Sequence, residues 1–171
     1  MKSPDKSMLA IETNILMHAY REKFENDEQR KWHSIAHALL KQLARDEVTV
    51  CVSVISVSEY LVGIAESDRP RVATQLAETF TIAPFNIRAG IIAAGLVKTA
   101  KSMLSGVRYE RPVLFADTKI IGSLVAHGCT RCETLDIGFE KLAATVMKKV
   151  NQFQIQPDLP GIVLPETKKN P

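Results

Sequence analysis

The sequence is poor in several residue types whose abundance marks particular protein classes. Of its 171 residues, three are cysteine, one is tryptophan and 6% are aromatic. A small, odd cysteine count argues against a disulfide framework and fits a reducing compartment. The aromatic side chains are too few to predict where nucleic acid bases would stack. These shortages exclude a disulfide-rich secreted domain and leave base recognition unspecified.

Long apolar runs are also missing. No stretch reaches the roughly 18 consecutive apolar residues that a membrane-spanning helix needs. Residues 1–7 are mostly polar, and no apolar segment of the secretory-signal type follows them. We therefore expect a soluble, cytoplasmic protein that does not engage a membrane.

What is present fits one globular domain. Hydrophobic residues make up 46% of the chain, which is enough for a core, and 171 residues suit a single domain. The net charge of +3 is compatible with a polyanionic partner, and an ordinary solvated surface explains it as well. Residues 156–171 contain four prolines, so we assign residues 1–155 to the domain and residues 156–171 to a C-terminal tail.

Short apolar, often β-branched segments alternate with longer segments of helical periodicity. The predicted strands are residues 8–11, 48–52, 80–83, 129–135 and 153–155. The predicted helices are residues 15–20, 32–43, 57–64, 69–80, 87–104, 114–127 and 139–150, with a basic loop at 106–112. This alternation predicts an α/β fold in which helices flank a central, mainly parallel sheet of about five strands.

Four acidic residues fall where a parallel sheet places its ligands. Glu12 follows the first predicted strand, and Asp136 follows the fourth. Glu59 lies one or two turns into the helix after the second strand, and Asp117 lies in the first turn of the helix before the fourth. Ligands of open parallel sheets bind beyond the carboxyl ends of the strands. We therefore expect the four carboxylates to converge on one rim of the sheet.

Clustered carboxylates favour a bound cation. Each negative charge raises the pKa of its neighbours, and a divalent ion relieves the repulsion. All-oxygen ligands favour Mg²⁺ or Mn²⁺, which can activate water beside a phosphodiester. Taken singly, the acids have simpler explanations: Asp117 can interact with a helix dipole, and Asp136 can cap the helix that follows it.

Four segments that contain these acids resemble, in order and rough spacing, the motifs of the PIN-domain family. They read Leu-Ala-Ile-Glu-Thr-Asn-Ile-Leu at 9–16, Ser-Val-Ser-Glu-Tyr-Leu at 56–61, Phe-Ala-Asp-Thr-Lys-Ile-Ile-Gly-Ser at 115–123 and Thr-Leu-Asp-Ile-Gly-Phe at 134–139. The resemblance covers residues 8 to 155. Within the family, the sequence is most similar to the toxin components of toxin–antitoxin pairs (VapC-like).

The resemblance implies a three-layer PIN-like fold and a Mg²⁺- or Mn²⁺-dependent endoribonuclease. The catalytic acids would be Glu12, Glu59, Asp117 and Asp136. Glu12 and Asp117 would be the principal metal ligands, with Asp136 as a further ligand, directly or through water. Asn14 and Thr134 would orient the carboxylates and the attacking water. The implied partners are RNA, an antitoxin protein and a second copy of the chain.

Glu12 departs from the family pattern, which opens with aspartate. One extra methylene moves the carboxylate by up to ~1.5 Å, and a misplacement of ~1 Å can cost about 10²-fold in rate. Three interpretations are open: the site has adjusted and activity is kept, the protein is a weakly active or inactive member of the family, or the residue was changed to disarm a nuclease. The alternative function is a PIN-fold module that binds RNA or protein without cleaving. A phosphatase of the haloacid dehalogenase type fits poorly, because Glu12-Thr13-Asn14 lacks its paired aspartates.

Other candidate ligands are weaker. Cys129 and Cys132 form a C-x-x-C without the second pair that a zinc site needs. His33 and His37 are four residues apart, but the intervening residues lack the glutamate of a zincin motif. Three basic residues near the third acidic segment can contact RNA phosphates or can be ordinary surface charges: Arg108, Arg111 and Lys119.

Overall fold

In the computed structural model, which describes residues 8–103 and 111–152, a five-stranded sheet forms the centre of the fold. Its strands, in chain order, are β1 (Leu9–Ile11), β2 (Val50–Ser53), β3 (Thr81–Ala83), β4 (Arg131–Thr134) and β5 (Lys149–Gln152). All neighbouring pairs are parallel. The predicted α/β architecture with about five strands is confirmed.

The strand order is β3-β2-β1-β4-β5, so the first strand lies in the middle. Leu9 is in register with Val50 of β2 on one side and with Arg131 of β4 on the other. The chain therefore builds outwards from β1 in one direction and then crosses back to build in the other. Between β1 and β4 the strand order reverses, and open α/β sheets bind ligands in the crevice beyond the strand ends at such a point.

Seven α-helices lie within the described residues. They are α1 (Thr13–Ala19), α2 (Asp27–Arg45), α3 (Val54–Val62), α4 (Arg69–Thr79), α5 (Ile87–Met103), α6 (Arg111–Ala126) and α7 (Ile137–Ala143). A 3-10 turn at Glu66–Asp68, which the periodicity does not predict, leads into α4. Across residues 8–103 and 111–152, no helix has the length and apolarity required to cross a membrane.

Local sequence explains where the longer helices begin and what they bury. Asn26 caps α2 by accepting a hydrogen bond from the backbone N–H of Gln29, at 2.9 Å. The buried residues of α2 include Ile35, Leu39 and Leu43, which recur every four residues and form one face. This face packs on α1 and joins the apolar cluster on one side of the sheet, whereas the exposed positions of α2 are mostly polar.

Two hydrophobic clusters lie on the two faces of the sheet. Leu9 and Ile11 of β1 belong to the cluster formed with α1 and α2, whereas Ala10 belongs to the cluster formed with α5, α6 and α7. Side chains alternate between the faces of a strand, so three consecutive apolar residues are buried on both sides. This arrangement gives the helix–sheet–helix layering and fixes the position of the residue that follows β1.

Helices α5 and α6 approach each other closely. A Cβ atom added at Gly122 of α6 would lie 2.5 Å from the backbone oxygen of Ala89 in α5. A side chain at this position is therefore incompatible with the observed helix spacing.

Two predicted boundaries near α6 and α7 were wrong. Helix α6 begins at Arg111, so residues 111–112 are not part of a basic loop, and Asp117 lies in the second turn rather than the first. Pro112 explains the earlier start, because proline is tolerated in the first turn of a helix. Residues 104–110, the rest of that predicted loop, lie outside the described residues.

Helix α7 ends at Ala143, well before the predicted end at residue 150. The backbone N–H groups of Lys148 and Lys149 donate to the carbonyl oxygen of Thr130, at 3.0 and 3.2 Å, and this pairing starts β5 beside β4. The last described strand is therefore 149–152, and the strand predicted at 153–155 and the tail at 156–171 lie outside the described residues.

Candidate active site

Glu12 occupies the point where the strand order reverses. It follows β1 directly, and its backbone N–H donates to the carbonyl oxygen of Glu133 in β4, at 3.2 Å. Its side chain caps α1: Oε1 accepts a hydrogen bond from the backbone N–H of Asn14, at 3.2 Å. Glu12 is only 5% exposed. A carboxylate is thus held almost out of water at the carboxyl end of the central strand.

Thr134, the last residue of β4, links Glu12 to the start of α7. Its hydroxyl donates to Oε2 of Glu12, at 3.0 Å, and accepts from the backbone N–H of Asp136, also at 3.0 Å. Thr134 is fully buried. Since one hydroxyl makes both contacts, the position of the Glu12 carboxylate is coupled to the chain direction at Asp136.

Asp136 and Asp117 complete an acidic group around Glu12. Asp136 caps α7, with Oδ1 accepting from the backbone N–H of Phe139 at 2.7 Å. Asp117 lies on α6, and both aspartates are partly buried. The negative charges of Asp117 and Asp136 act on Glu12 and raise the pKa of its carboxyl group. Asp117 and Asp136 thus lie near enough for their charges to act on Glu12, as a smaller effect than burial.

The pKa of Glu12 reflects a balance between burial and hydrogen bonding. Desolvation by burial is the largest effect and raises the pKa. The hydrogen bonds from Asn14 and Thr134 lower it, and the charges of Asp117 and Asp136 raise it again. The net result is a pKa raised from 4.5 to about 7. A cation beside Glu12 would act in the opposite sense and favour the carboxylate.

Glu59, the fourth predicted acid, is tied to the group through a different residue. It lies on α3, and its Oε2 accepts a hydrogen bond from the Thr13 hydroxyl at 2.6 Å. Thr13 directly follows Glu12 in the chain, and its hydroxyl is also 2.9 Å from that of Ser56. Thr13 and Ser56 are both buried. The acids at 12 and 59 are thus connected through consecutive residues at the start of α1.

Sequence reasoning selected Asn14 and Thr134 as orienting residues and missed Thr13 and Ser56. Asn14 contacts Glu12 through its backbone N–H rather than through its amide side chain. A signal for the missed pair was present: Ser56 precedes Glu59 by three residues, a spacing that puts two side chains on one face of a helix. The partner of that face, 43 residues earlier in the chain, could not be read from the sequence.

Comparison with solved structures identifies the architecture. VapBC2 from Rickettsia felis, bound to a DNA fragment from their promoter, matches with a TM-score of 0.57 and 16% identity over 84% of this chain and 97% of the matched chain. DNA-bound VapBC from Salmonella typhimurium matches with a TM-score of 0.57 and 15% identity over 85% and 97% of the respective chains. This chain has a PIN-like fold. No protein-family model matches the sequence, and no curated protein matches it.

The donor set of the PIN-like site suits a hard divalent ion. Within residues 8–103 and 111–152, no three acidic, histidine or cysteine side chains stand close enough to form a ready-made metal cage. Mg²⁺ does not need one, because it is commonly held by one or two carboxylates and keeps several waters. Burial and, to a smaller extent, the charges of Asp117 and Asp136 raise the pKa of Glu12, and a cation would offset both effects. The residues present therefore fit a hydrated Mg²⁺ or Mn²⁺ ion.

The remaining candidates have structural explanations. Cys129 and Cys132 are buried free thiols, and a hydrogen bond with Cys51, followed by burial, raises the pKa of Cys129. Nδ1 of His33 lies 2.9 Å from the carbonyl oxygen of His18, which ties the start of α2 to the end of α1.

Of the basic candidates, Lys119 is exposed on α6, two residues after Asp117. Arg111 begins the same helix. Arg108 lies outside the described residues.

Proposed function

We propose that this chain is a cytoplasmic, divalent-metal-dependent endoribonuclease that hydrolyses RNA phosphodiester bonds, and that it is the toxin of a toxin–antitoxin pair. The observation that carries the proposal is the electrostatic group of Glu12, Asp117 and Asp136 at the reversal point of a PIN-like sheet. Three acids at the binding crevice of a parallel sheet are costly without a positive charge to offset them.

In this proposal, Glu12 and Asp117 hold a Mg²⁺ or Mn²⁺ ion, and Asp136 binds it directly or through water. When bound there, such an ion would activate a water and offset the charge that develops on the leaving oxygen of the phosphodiester. Glu59 completes the acidic pocket, and Thr134 keeps the Glu12 carboxylate oriented through its 3.0 Å hydrogen bond. Lys119 is a candidate contact for an RNA phosphate.

We further propose that Glu12 attenuates the activity. Each of its carboxylate oxygens already accepts a hydrogen bond, from Asn14 and from Thr134. Burial and neighbouring charges raise its pKa to about 7, so near neutral pH a proton competes with a metal ion for this group. The same observations favour the second candidate function, a PIN-fold module that binds RNA or protein without cleaving.

The proposed protein partners are an antitoxin and a second copy of the chain. The matched VapBC structures are bound to DNA. The proposal of an antitoxin partner for this chain rests on the shared fold and on the sequence resemblance. The candidate dimer surface is on α5, where Ile87 and Ile91, four residues apart on one face of the helix, are 85% and 69% exposed. Sedimentation equilibrium tests the dimer, which a monomer at micromolar concentration would contradict.

The decisive experiment compares the parent protein with Glu12→Asp and Asp117→Asn on a labelled structured RNA in Mn²⁺, with EDTA as the control. We expect the parent to cut weakly or not at all and Glu12→Asp to cut faster, by up to about 10²-fold if the extra methylene misplaces the carboxylate. Asp117→Asn should abolish cleavage while melting as a folded protein. Asp117→Asn is therefore also made in the Glu12→Asp background, and cleavage by that double variant at the rate of Glu12→Asp would refute the acidic site.

The outcomes also separate the two candidate functions. If the parent and Glu12→Asp cut at similar rates, the pocket tolerates glutamate and the attenuation is absent. If only Glu12→Asp cuts, the site is correct and Glu12 is the attenuating residue. If neither cuts, and the parent retains RNA in a filter-binding assay without Mn²⁺, the binding module replaces the nuclease.

A further inference from the structure

Thr13 connects three elements of the site: the end of β1, the start of α1 and helix α3. It is the first residue of α1, directly after Glu12, and is 5% exposed. Its hydroxyl oxygen is 2.6 Å from Oε2 of Glu59 and 2.9 Å from the hydroxyl oxygen of Ser56. Both partners lie on α3, so this single side chain joins the end of β1 to a helix 43 and 46 residues away.

The direction of these hydrogen bonds follows from the number of protons. A threonine hydroxyl has one proton to donate and lone pairs to accept with. A carboxylate can only accept, and hydrogen bonds to it are shorter and stronger than those between neutral groups. The proton of Thr13 therefore points to Glu59, which fits the shorter distance of 2.6 Å. Ser56 then donates its proton to the oxygen of Thr13, and the chain runs from Ser56 through Thr13 to Glu59.

This chain of bonds limits the freedom of Glu59. The glutamate is partly exposed, and its long side chain would otherwise sample several rotamers. Ser56 is fully buried and cannot move away, so it holds the Thr13 hydroxyl in one orientation. The hydrogen bond from Thr13 then fixes one oxygen of Glu59 relative to the residue beside Glu12.

We propose that Thr13 is a positioning residue, oriented by Ser56, that sets the place of the Glu59 carboxylate in the acidic pocket. This inference rests on the proposed metal-dependent nuclease function. Thr13 acts through Glu59 and has no contact of its own with metal or RNA in this assignment. Thr134 has the corresponding role for Glu12, so each of two buried threonines orients one glutamate.

The first test measures the hydrogen bond itself and needs no activity. A double-mutant cycle of Thr13→Val and Glu59→Met, of which the second removes the acceptor oxygens at nearly constant length, is followed by urea unfolding in EDTA. We expect the two changes to be non-additive, with a coupling of about 10-fold or more in the unfolding equilibrium constant, because the bond involves a charged group. Additive effects would show that Thr13 and Glu59 do not interact, and would overturn the proposal even if the protein is a nuclease.

The second test measures the role. Mn²⁺ affinity is measured by calorimetry for the parent and each variant, and kcat and the Mn²⁺ activation constant are measured in whichever background cuts, parent or Glu12→Asp. Removing an orienting partner of a ligand typically costs 10–100-fold in metal affinity or activity. Since Glu59 lies in the pocket without being one of the assigned ligands, we expect Thr13→Val to lose about 10-fold, the low end of this range, and Thr13→Ser, which keeps the hydroxyl, to stay within about 3-fold of the parent. In a Glu59→Met background, which lacks the acceptor, Thr13→Val should cause no further loss.

Ser56→Ala has a matched control in Ser123→Ala. Both serines are fully buried in helices, but the hydroxyl of Ser123 donates to the carbonyl oxygen of Lys119 in its own helix, at 2.9 Å. Only Ser56→Ala should reduce Mn²⁺ affinity. Equal values for the parent, Thr13→Val and Ser56→Ala, alongside an intact coupling in the first test, would reduce Thr13 to a purely structural role. Failure of the nuclease itself would instead appear as no cleavage in any variant.

Discussion

Replacing Glu12 with glutamine should stabilise the protein at neutral and alkaline pH. Glutamine has nearly the same shape, its amide oxygen can still accept from the N–H of Asn14, and its amide group can donate to the Thr134 hydroxyl. It carries no charge, so the desolvation and repulsion that raise the pKa of Glu12 disappear. The variant should therefore lose a penalty that the parent suffers whenever Glu12 is ionised.

The size and pH range of the effect follow from the shift in pKa. Burial and neighbouring charges raise the pKa of Glu12 from 4.5 to about 7. Below pH 4.5, the group is protonated in both the folded and the unfolded state and costs nothing. Between pH 4.5 and about 7, the unfolded chain releases a proton that the folded protein keeps, so stability falls as the pH rises. Above about pH 7 the penalty is complete, roughly 3 kcal/mol at most.

Urea unfolding of the parent and Glu12→Gln from pH 4 to pH 8 in EDTA tests this reasoning. The difference in free energy of unfolding between the two proteins should grow with pH and level off by pH 8. This difference isolates Glu12, because Glu133, whose pKa is also raised by burial, is present in both proteins. A difference that stays constant within ~0.5 kcal/mol would mean that Glu12 is not held in a desolvated, repulsive site.

Two further pairs of substitutions test the fold around the site. Gly122→Ala should destabilise the protein by about 1–3 kcal/mol, since the new Cβ would lie 2.5 Å from the backbone oxygen of Ala89. Gly95→Ala, with no atom within 4 Å of the new Cβ, should instead stabilise it by roughly 0.5–1 kcal/mol. Equal melting temperatures for the two variants would contradict the packing of α5 on α6. Asp136→Asn should keep the cap of α7, which accepts from Phe139 at 2.7 Å, while Asp136→Ala should cost about 1 kcal/mol, and no difference between them in urea unfolding would exclude the cap.

The elements that form around consecutive residues were predictable from sequence. The β-branched residues of Val50–Ser53 predict a strand, and apolar residues at every fourth position predict the buried face of α2. No tertiary contact overrides either pattern. The end of α7 was not predictable, because Val-Met-Lys-Lys-Val at 146–150 fits a helix as well as a strand. Pairing with Thr130 decides between them, and that partner lies 18 residues from Lys148.

The candidate site divides along the same line. Glu12 and Asp136 could be placed because each directly follows a strand, and the carboxyl ends of parallel strands share one edge. The hydroxyl network could not be placed, because it depends on which side of α3 faces α1. Whether the four acids act together remains a prediction that the cleavage and metal-binding experiments test.

The position of Glu12 explains why one residue affects both folding and the proposed chemistry. As the N-cap of α1, it satisfies the backbone N–H of Asn14, and through Thr134 it fixes the approach of β4 to β1. Each contact uses one oxygen atom of the Glu12 carboxylate, so fewer of its lone pairs would be available to a metal ion. Aspartate is the better capping residue and is one methylene shorter. It can keep the bond to the helix N-terminus while drawing back from Thr134, which would leave an oxygen less constrained. A glutamate at this position therefore stabilises the end of β1 and leaves fewer oxygen lone pairs for a metal ion.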